Sequence, residues 1–133
     1  MKTKIQSKHK LLKAKCDKLW SEVVKIRAGY KSELSNSDYN LQSHHVLSKP
    51  CYSLRYSLEN GICLAFQEHI FGIHNHNPGI ANEYFEKIIK KIEEREGKDI
   101  FGKLMMLENV KDVDLNLVYI LLKQEKQRLL EAK

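Results

Sequence analysis

Apolar residues recur at helical spacing along both ends of this chain, and only the middle breaks the pattern. The spacing predicts a helix over residues 8–28 that ends at Gly29. It predicts further helices after Pro78, the last of them capped by Asp112. The apolar positions are Leu11, Leu12, Cys16, Leu19, Trp20, Val23, Val24 and Ile26, and then Ile80, Tyr84, Phe85, Ile88, Ile89, Ile92, Ile100, Leu104, Met105, Leu107, Leu115, Val118, Tyr119, Leu122 and Leu129. The chain should therefore be mainly α.

The middle of the chain has the pattern of two short strands. Residues 30–40 are polar and predict a loop, and residues 41–47 predict a strand that ends before Pro50. The pair Asn60-Gly61 indicates a turn, residues 62–66 predict a second strand, and a short helix should follow around residues 67–71. The predicted fold class is mainly α with a small central antiparallel β-hairpin.

The positive charge is concentrated near the amino terminus. The chain of 133 residues suits a single domain with a net charge of +6. Residues 1–31 contain ten Lys or Arg against Asp17 and Glu22, so the remainder is slightly acidic. A basic segment of this kind suits a polyanion such as DNA, and a solubilising tail is the alternative.

The cysteines and the apolar runs exclude several classes of protein. Cys16, Cys51 and Cys63 are odd in number and form no C-x2-C pair, so neither a disulfide framework nor a structural zinc site is expected. No apolar run approaches the roughly 20 residues of a membrane helix, and the amino terminus lacks a signal-peptide pattern. We expect a cytoplasmic protein with reduced thiols and no membrane partner.

Five of the six histidines lie within residues 44–76. Imidazole can bind a transition metal or exchange a proton near neutral pH, although a single histidine is more often only hydrogen-bonded or solvated. An order of strand, turn, strand and helix can bring such residues to one point. The five are His44, His45, His69, His74 and His76.

Three segments around these histidines resemble the HNH (His-Asn-His, ββα-metal) endonuclease superfamily, and small phage-type nucleases in particular. Leu41-Gln42-Ser43-His44-His45-Val46 is similar to the first strand of that family. Residues 55–64 are similar to its central Asn and second strand, and residues 68–78 to its helix. The resemblance implies a ββα-metal core over residues 41–78, between a basic helix at 1–29 and carboxy-terminal helices at 79–133.

The resemblance also implies roles for individual residues in a DNA endonuclease or nickase. His45 matches the general base, and Asn60 matches the Asn that fixes the loop between the strands. His44 and His69 match ligands of one divalent metal ion, and His74 matches a further His that ligates the metal or contacts phosphate. A histidine-rich set favours Mn²⁺, Ni²⁺ or Zn²⁺, whereas cellular abundance favours Mg²⁺.

The sequence departs from the family pattern where many relatives carry two C-x2-C pairs for a structural zinc. The first pair would fall in the 30–40 loop and the second near residues 65–68, and neither segment contains cysteine. We therefore expect no structural zinc and a core held by packing. Loss of that metal also favours the alternative of a non-catalytic DNA-binding or packaging-accessory module.

The spacing of His69 and His74 poses a geometric problem. On an unbroken α-helix they would lie about 140° apart, so they could not share a metal ion. Gly72 is expected to end the helix and let His74 turn back. His76, roughly 10 Å beyond His69 along a helix, is not expected to be a ligand.

Four cations are candidates for DNA contact: Lys10, Lys13, Lys49 and Arg55. An Arg between the strands could clamp a phosphate, and an exposed loop cation is the alternative. A helical interaction protein with incidental histidines is a further alternative for the whole chain. Cleavage of both strands would favour a homodimer, because each chain has one site.

Overall fold

Helices account for most of the residues that the structure describes, which are 2–47 and 50–132 of this computed structural model. The two strands pair antiparallel, so the mainly α class with a small central sheet is confirmed. None of the helices within these ranges is long and apolar enough to cross a membrane. In chain order the elements are α1 (Lys2–Arg27), β1 (Leu41–His45), α2 (Tyr52–Arg55), β2 (Gly61–Ala65), a π-helix (Glu68–Ile73), α3 (Pro78–Glu96), α4 (Ile100–Leu107) and α5 (Leu115–Glu131).

The ends of two helices show where the sequence prediction was right and where it was wrong. Gly29 ends the α1 helix as predicted: it has φ +68°, its N–H donates to Ile26 O, and Tyr30 N–H donates to Lys25 O. The N-cap of α5 is Asp114 and not Asp112, because the Asp114 carboxylate accepts a hydrogen bond from Asn116 N.

Strand β1 ends two residues earlier than predicted, because the next two backbone N–H groups both form hydrogen bonds with Asn60. Val46 N donates to the backbone oxygen of Asn60, and Leu47 N donates to its side-chain Oδ1. The register of the sheet pairs His44 with Ile62 and His45 with Gly61.

Gly61 is the first residue of β2 rather than part of a tight hairpin turn. Neither Asn60 nor Gly61 has a positive φ, and the connection between the strands contains α2. A Cβ on Gly61 would lie 2.7 Å from both Trp20 Cζ2 and Val24 Cγ2. This glycine is therefore required by the close approach of α1.

The sheet separates two apolar clusters, because successive residues of β2 point to opposite faces. Ile62 and Leu64 pack against α2, the π-helix, α3 and α4, whereas Cys63 packs against α1 and α5. All five residues of β2 are buried, so this strand is the centre of the fold.

Side chains cover the edge of β2 that does not pair with β1. The Glu33 carboxylate accepts from Cys63 N at 2.7 Å, and Glu68 Oε1 accepts from Ala65 N at 2.8 Å. Glu68 Oε1 also accepts from the buried Ser32 hydroxyl, which ties the 30–40 loop to the start of the π-helix. These hydrogen bonds join the two segments where the family resemblance would place cysteine pairs.

Candidate functional site

Three of the predicted site histidines lie side by side. The ring of His69 lies between the other two, with centroids 5.2 Å from His44 and 4.7 Å from His74. His44 comes from β1, His69 from the π-helix and His74 from the residue that follows it. The structure thus brings together all three residues that the resemblance assigned to a metal.

A π-helix resolves the spacing of His69 and His74. Its hydrogen bonds join residues five apart, and His74 N donates to His69 O at 3.2 Å. The two histidines therefore lie on successive turns rather than 140° apart, and their rings meet edge to face at an interplanar angle of 80°. The expectation that Gly72 ends the helix was wrong, because the π-helix continues through it to Ile73.

Gly72 is needed for packing against α3 rather than for a turn. A Cβ at this position would lie 2.6 Å from the Tyr84 ring, nearer than side chains tolerate. The absence of a side chain lets the π-helix lie close against α3, which helps to fix the wider helical turn below the histidines.

The three histidines line a cavity of about 430 Å³. Its remaining walls are Ser43, His45, Val46, Leu47, Ile73 and Phe85. Because neighbouring strand residues point to opposite faces, His44 and His45 approach the cavity from the two sides of β1. A second cavity of about 180 Å³, lined by Asp17, Trp20, Ser21, Ser43, His45 and Arg55, adjoins His45 on the side of α1.

The imidazole of His45 is held by a hydrogen bond and a stacking contact. Its Nε2 lies 2.8 Å from Arg55 O, and its ring lies 3.8 Å from the Trp20 ring at an interplanar angle of 5°. A carbonyl oxygen can only accept, so Nε2 carries the proton of the neutral ring. The basic lone pair of that ring is then on Nδ1.

Asn60 is fully buried and joins three backbone groups. Its Oδ1 accepts from Leu47 N at 2.8 Å, and its Nδ2 donates to Leu47 O and to Leu54 O. The side chain thereby links the loop after His45 to α2, whose last residue provides the carbonyl that binds His45.

The environment of His69 suits a metal ligand. Burial, and then the nearby charge of His74, lower the pKa of His69 and favour the neutral imidazole that can ligate. Its Nδ1 atom is buried and has no hydrogen-bond partner in the structure. A buried polar atom without a partner is uncommon, and a ligand would satisfy it.

The ring positions are nevertheless not those of a completed metal site. Within residues 2–47 and 50–132, no group of three or more His, Cys, Asp or Glu side chains is arranged so that it could hold a metal ion. The three imidazole rings lie close together, but their nitrogens do not face the common point that ligation of one metal ion requires.

Arg55 forms an ion pair that was not predicted from the sequence. Its Nε and Nη2 donate to the two carboxylate oxygens of Asp17 at 2.7 and 2.8 Å, and the Tyr56 hydroxyl also donates to Asp17. Burial opposes ionisation of Asp17, but the hydrogen bonds from Arg55 and Tyr56 outweigh it and lower its pKa. Arg55 therefore fastens α2 to α1.

The remaining predicted DNA contacts lie on or near α1. Lys10 is exposed, and the Lys13 ammonium lies 6.0 Å from the centre of the Tyr52 ring on α2. Lys49 lies outside the described residues, and His76 is exposed. Trp20 and Asp17 also lie beside the site. From the sequence, Trp20 is expected only in the core, and Asp17 counts only toward the net charge.

Comparison with known protein families, with curated proteins and with solved structures finds no match to this chain.

Proposed function

We propose that this chain is a metal-dependent nuclease of the HNH (ββα-metal) type that hydrolyses phosphodiester bonds of DNA. The observation that carries the proposal is the cavity in which His44, His69 and His74 meet, with His45 at its edge. Strand β1 supplies His44 and His45, and the π-helix and the residue after it supply His69 and His74. The order of strand, strand and helix is the one that the HNH resemblance implies.

The donor set fits a divalent metal ion held by His44, His69 and His74. Two observations favour metal binding at His69: its buried Nδ1 has no hydrogen-bond partner, and the pKa of its side chain is lowered. Imidazole nitrogen is a preferred donor for Zn²⁺ and Ni²⁺. When bound, such an ion would supply positive charge to the phosphate and to the leaving oxygen.

His45 has the features of the general base. Its Nε2–H donates to Arg55 O, so the neutral ring presents Nδ1 as the proton acceptor. In-line displacement puts the attacking water and the leaving oxygen on opposite sides of the phosphorus. Side chains from the two faces of β1 can serve these two sides, His45 for the water and His44 for the metal.

The basic helix α1 supplies charge for binding the nucleic acid. Lys13 of α1 lies beside Tyr52 of α2, and Lys10 is one helical turn before Lys13 on α1. Lysines that neutralise phosphates release counterions and bind DNA without sequence preference. DNA binding along α1 would thus bring a strand to the side of the site that holds His45.

Cleavage of supercoiled plasmid tests the proposal. We expect nicking or linearisation with at least one of Mg²⁺, Mn²⁺, Ni²⁺ and Zn²⁺, and its loss with EDTA. His45→Ala should lower the rate by at least about 10²-fold, because a general base contributes that much. His76→Ala is the matched control, since His76 is exposed and outside the cavity wall.

The outcomes separate the proposal from its alternatives. Near-normal cleavage by purified His45→Ala would remove His45 from the base role. Salt-sensitive DNA binding without cleavage would favour a non-catalytic DNA-binding module, and neither activity would favour a helical interaction protein. Linear product formed directly from supercoiled DNA would indicate two copies acting together.

A further inference from the structure

Trp20 is the one tryptophan of the chain, and its indole lies flat against the imidazole of His45. The rings are 3.8 Å apart and within 5° of parallel, and Trp20 is 3% exposed. Trp20 belongs to α1, which lies outside the two strands and the π-helix that carry the histidines. An element remote in sequence therefore stacks an aromatic ring on that of the candidate base.

The indole is itself held in place on two further sides. Its Nε1–H donates to Ser57 O at 2.9 Å, and its six-membered ring fills the space above Gly61, where a Cβ would lie 2.7 Å from Cζ2. A side chain fixed by a hydrogen bond and by close packing has little rotational freedom. Its flat face is a rigid support for the imidazole.

The hydrogen bond to Arg55 O cannot orient His45 alone. The bond at Nε2 restricts rotation of the ring about Cβ–Cγ only weakly, because Nε2 lies close to that axis and moves little when the ring turns. The indole face removes this rotation, since the ring must stay parallel to it. The two contacts together fix the direction of Nδ1, which must meet the attacking water at hydrogen-bond distance.

Helix α1 also stabilises the other contact of His45. Asp17, one turn before Trp20, binds the guanidinium of Arg55 through both oxygens. This ion pair fastens α2, and with it the Arg55 carbonyl that accepts from His45. Both groups that hold the imidazole thus depend on α1.

We propose that Trp20 is the positioning residue of His45, so that α1 is part of the catalytic apparatus and not only a basic arm. This inference rests on the proposed nuclease function. Trp20 is not part of the wall of the cavity that holds the three other histidines, and it is almost fully buried beside the smaller cavity that adjoins His45. Its effect is therefore on the rate of the chemical step and not on binding of DNA or metal.

The experiment compares Trp20→Leu, Trp20→Phe and Val24→Ala in single-turnover cleavage at saturating DNA and metal. Val24 is fully buried in the same cluster one turn later, so its alanine variant reports the effect of lost packing alone. We expect Trp20→Leu to cleave about 10- to 100-fold more slowly, the loss typical of a residue that orients a catalytic group. Trp20→Phe should recover most of the rate, because it keeps an aromatic face.

Long-range ¹H–¹⁵N spectra of the histidine rings give a second readout that needs no activity. In the wild type the His45 ring protons should lie upfield, because they sit over the indole, with the proton on Nε2. Trp20→Leu should remove the upfield shift and Val24→Ala should keep it.

Two results would overturn the inference separately from the proposed function. If the wild type cleaves DNA but Trp20→Leu loses no more rate than Val24→Ala, Trp20 is a core residue and not a positioning one. Unshifted His45 protons in the wild type would exclude the stack itself. A wild type that cleaves no DNA under any metal refutes the nuclease proposal, and the positioning role with it.

Discussion

At the scale of single residues, burial decides how Asn60 and His69 act. Asn60 is fully buried and uses both ends of its amide, and His69 has a buried nitrogen without a partner. Neither property can be recognised from residue type, since most Asn and His side chains are solvated. Each leads to a prediction that is tested against a second residue of the same type.

Asn60→Asp should destabilise the protein as well as slow cleavage. The substitution replaces an NH₂ that donates to Leu47 O and Leu54 O by a carboxylate oxygen that faces both carbonyls. From sequence alone the cost would be that of one average hydrogen bond. Because the site is fully buried, we expect the free energy of unfolding, measured in urea, to fall by about 3 kcal/mol or more. We expect the cleavage rate to fall by about 10-fold or more. Asn109→Asp, which is exposed, should change neither, and full stability of Asn60→Asp would contradict the role described here.

His69→Ala should lower metal affinity by more than about 10-fold, because the central ring of the three would be lost. Calorimetry with Mn²⁺, Ni²⁺ and Zn²⁺ measures the effect, and His44→Ala should behave in the same way. His45→Ala should bind metal like the wild type, since its ring nitrogen is assigned to the base. Unchanged binding in both His69→Ala and His44→Ala would exclude these residues as ligands.

At the scale of elements, the type of one helical turn determines the site. An α-helical turn would separate His69 and His74, whereas the i to i+5 bond of the π-helix places them together. We expect packing to favour the π-helical turn, since Gly72 lies so close to the Tyr84 ring of α3 that a Cβ there would be only 2.6 Å from it.

Gly72→Ala should therefore lower the free energy of unfolding by about 1–3 kcal/mol, because its Cβ meets the Tyr84 ring. It should also weaken metal binding, since the ring must shift or the turn must change. Gly102→Ala in α4 is the matched control: nothing lies within 4 Å of its Cβ, and alanine should stabilise that helix by about 0.5–1 kcal/mol. Equal stability of the two variants in urea would show that the Tyr84 contact does not restrict the turn.

At the scale of the whole molecule, α1 carries both exposed lysines and the side chains that contact His45 and Arg55. Its second half provides Cys16, Trp20 and Val24 to the core, whereas residues 7–11 are exposed at its start. The same helix therefore carries the lysines assigned to DNA and the residues that hold His45 and Arg55. On the proposed function, the surface that binds DNA is therefore directly joined to the site that cleaves it.

Replacing the four lysines of this surface by Gln should weaken DNA binding and flatten its salt dependence. The loss of up to four phosphate contacts should reduce the slope of log K against log salt by up to about 3.6. The rate at saturating DNA should stay within about threefold. The lysines are Lys8, Lys10, Lys13 and Lys15.

The control for that prediction carries the same loss of charge on exposed lysines of the carboxy-terminal half. These are Lys98, Lys103, Lys111 and Lys123. An equal change of slope in both variants, measured by fluorescence anisotropy across a salt series, would mean that net charge alone governs binding and that α1 is not the DNA surface.

The sequence by itself determined the helices, the two strands and the residues worth testing. Helical spacing, Gly29 and the polar 30–40 loop are local signals, and the structure follows them within a few residues. Tertiary structure alone decided the rest. The π-helical turn that carries His69 packs against Tyr84 at Gly72. The ring of His45 stacks on Trp20 and is hydrogen-bonded to the carbonyl of Arg55, which pairs with Asp17. These partners are far apart in the chain, and periodicity in one sequence reports only which face of a segment is buried, not which residue it meets there.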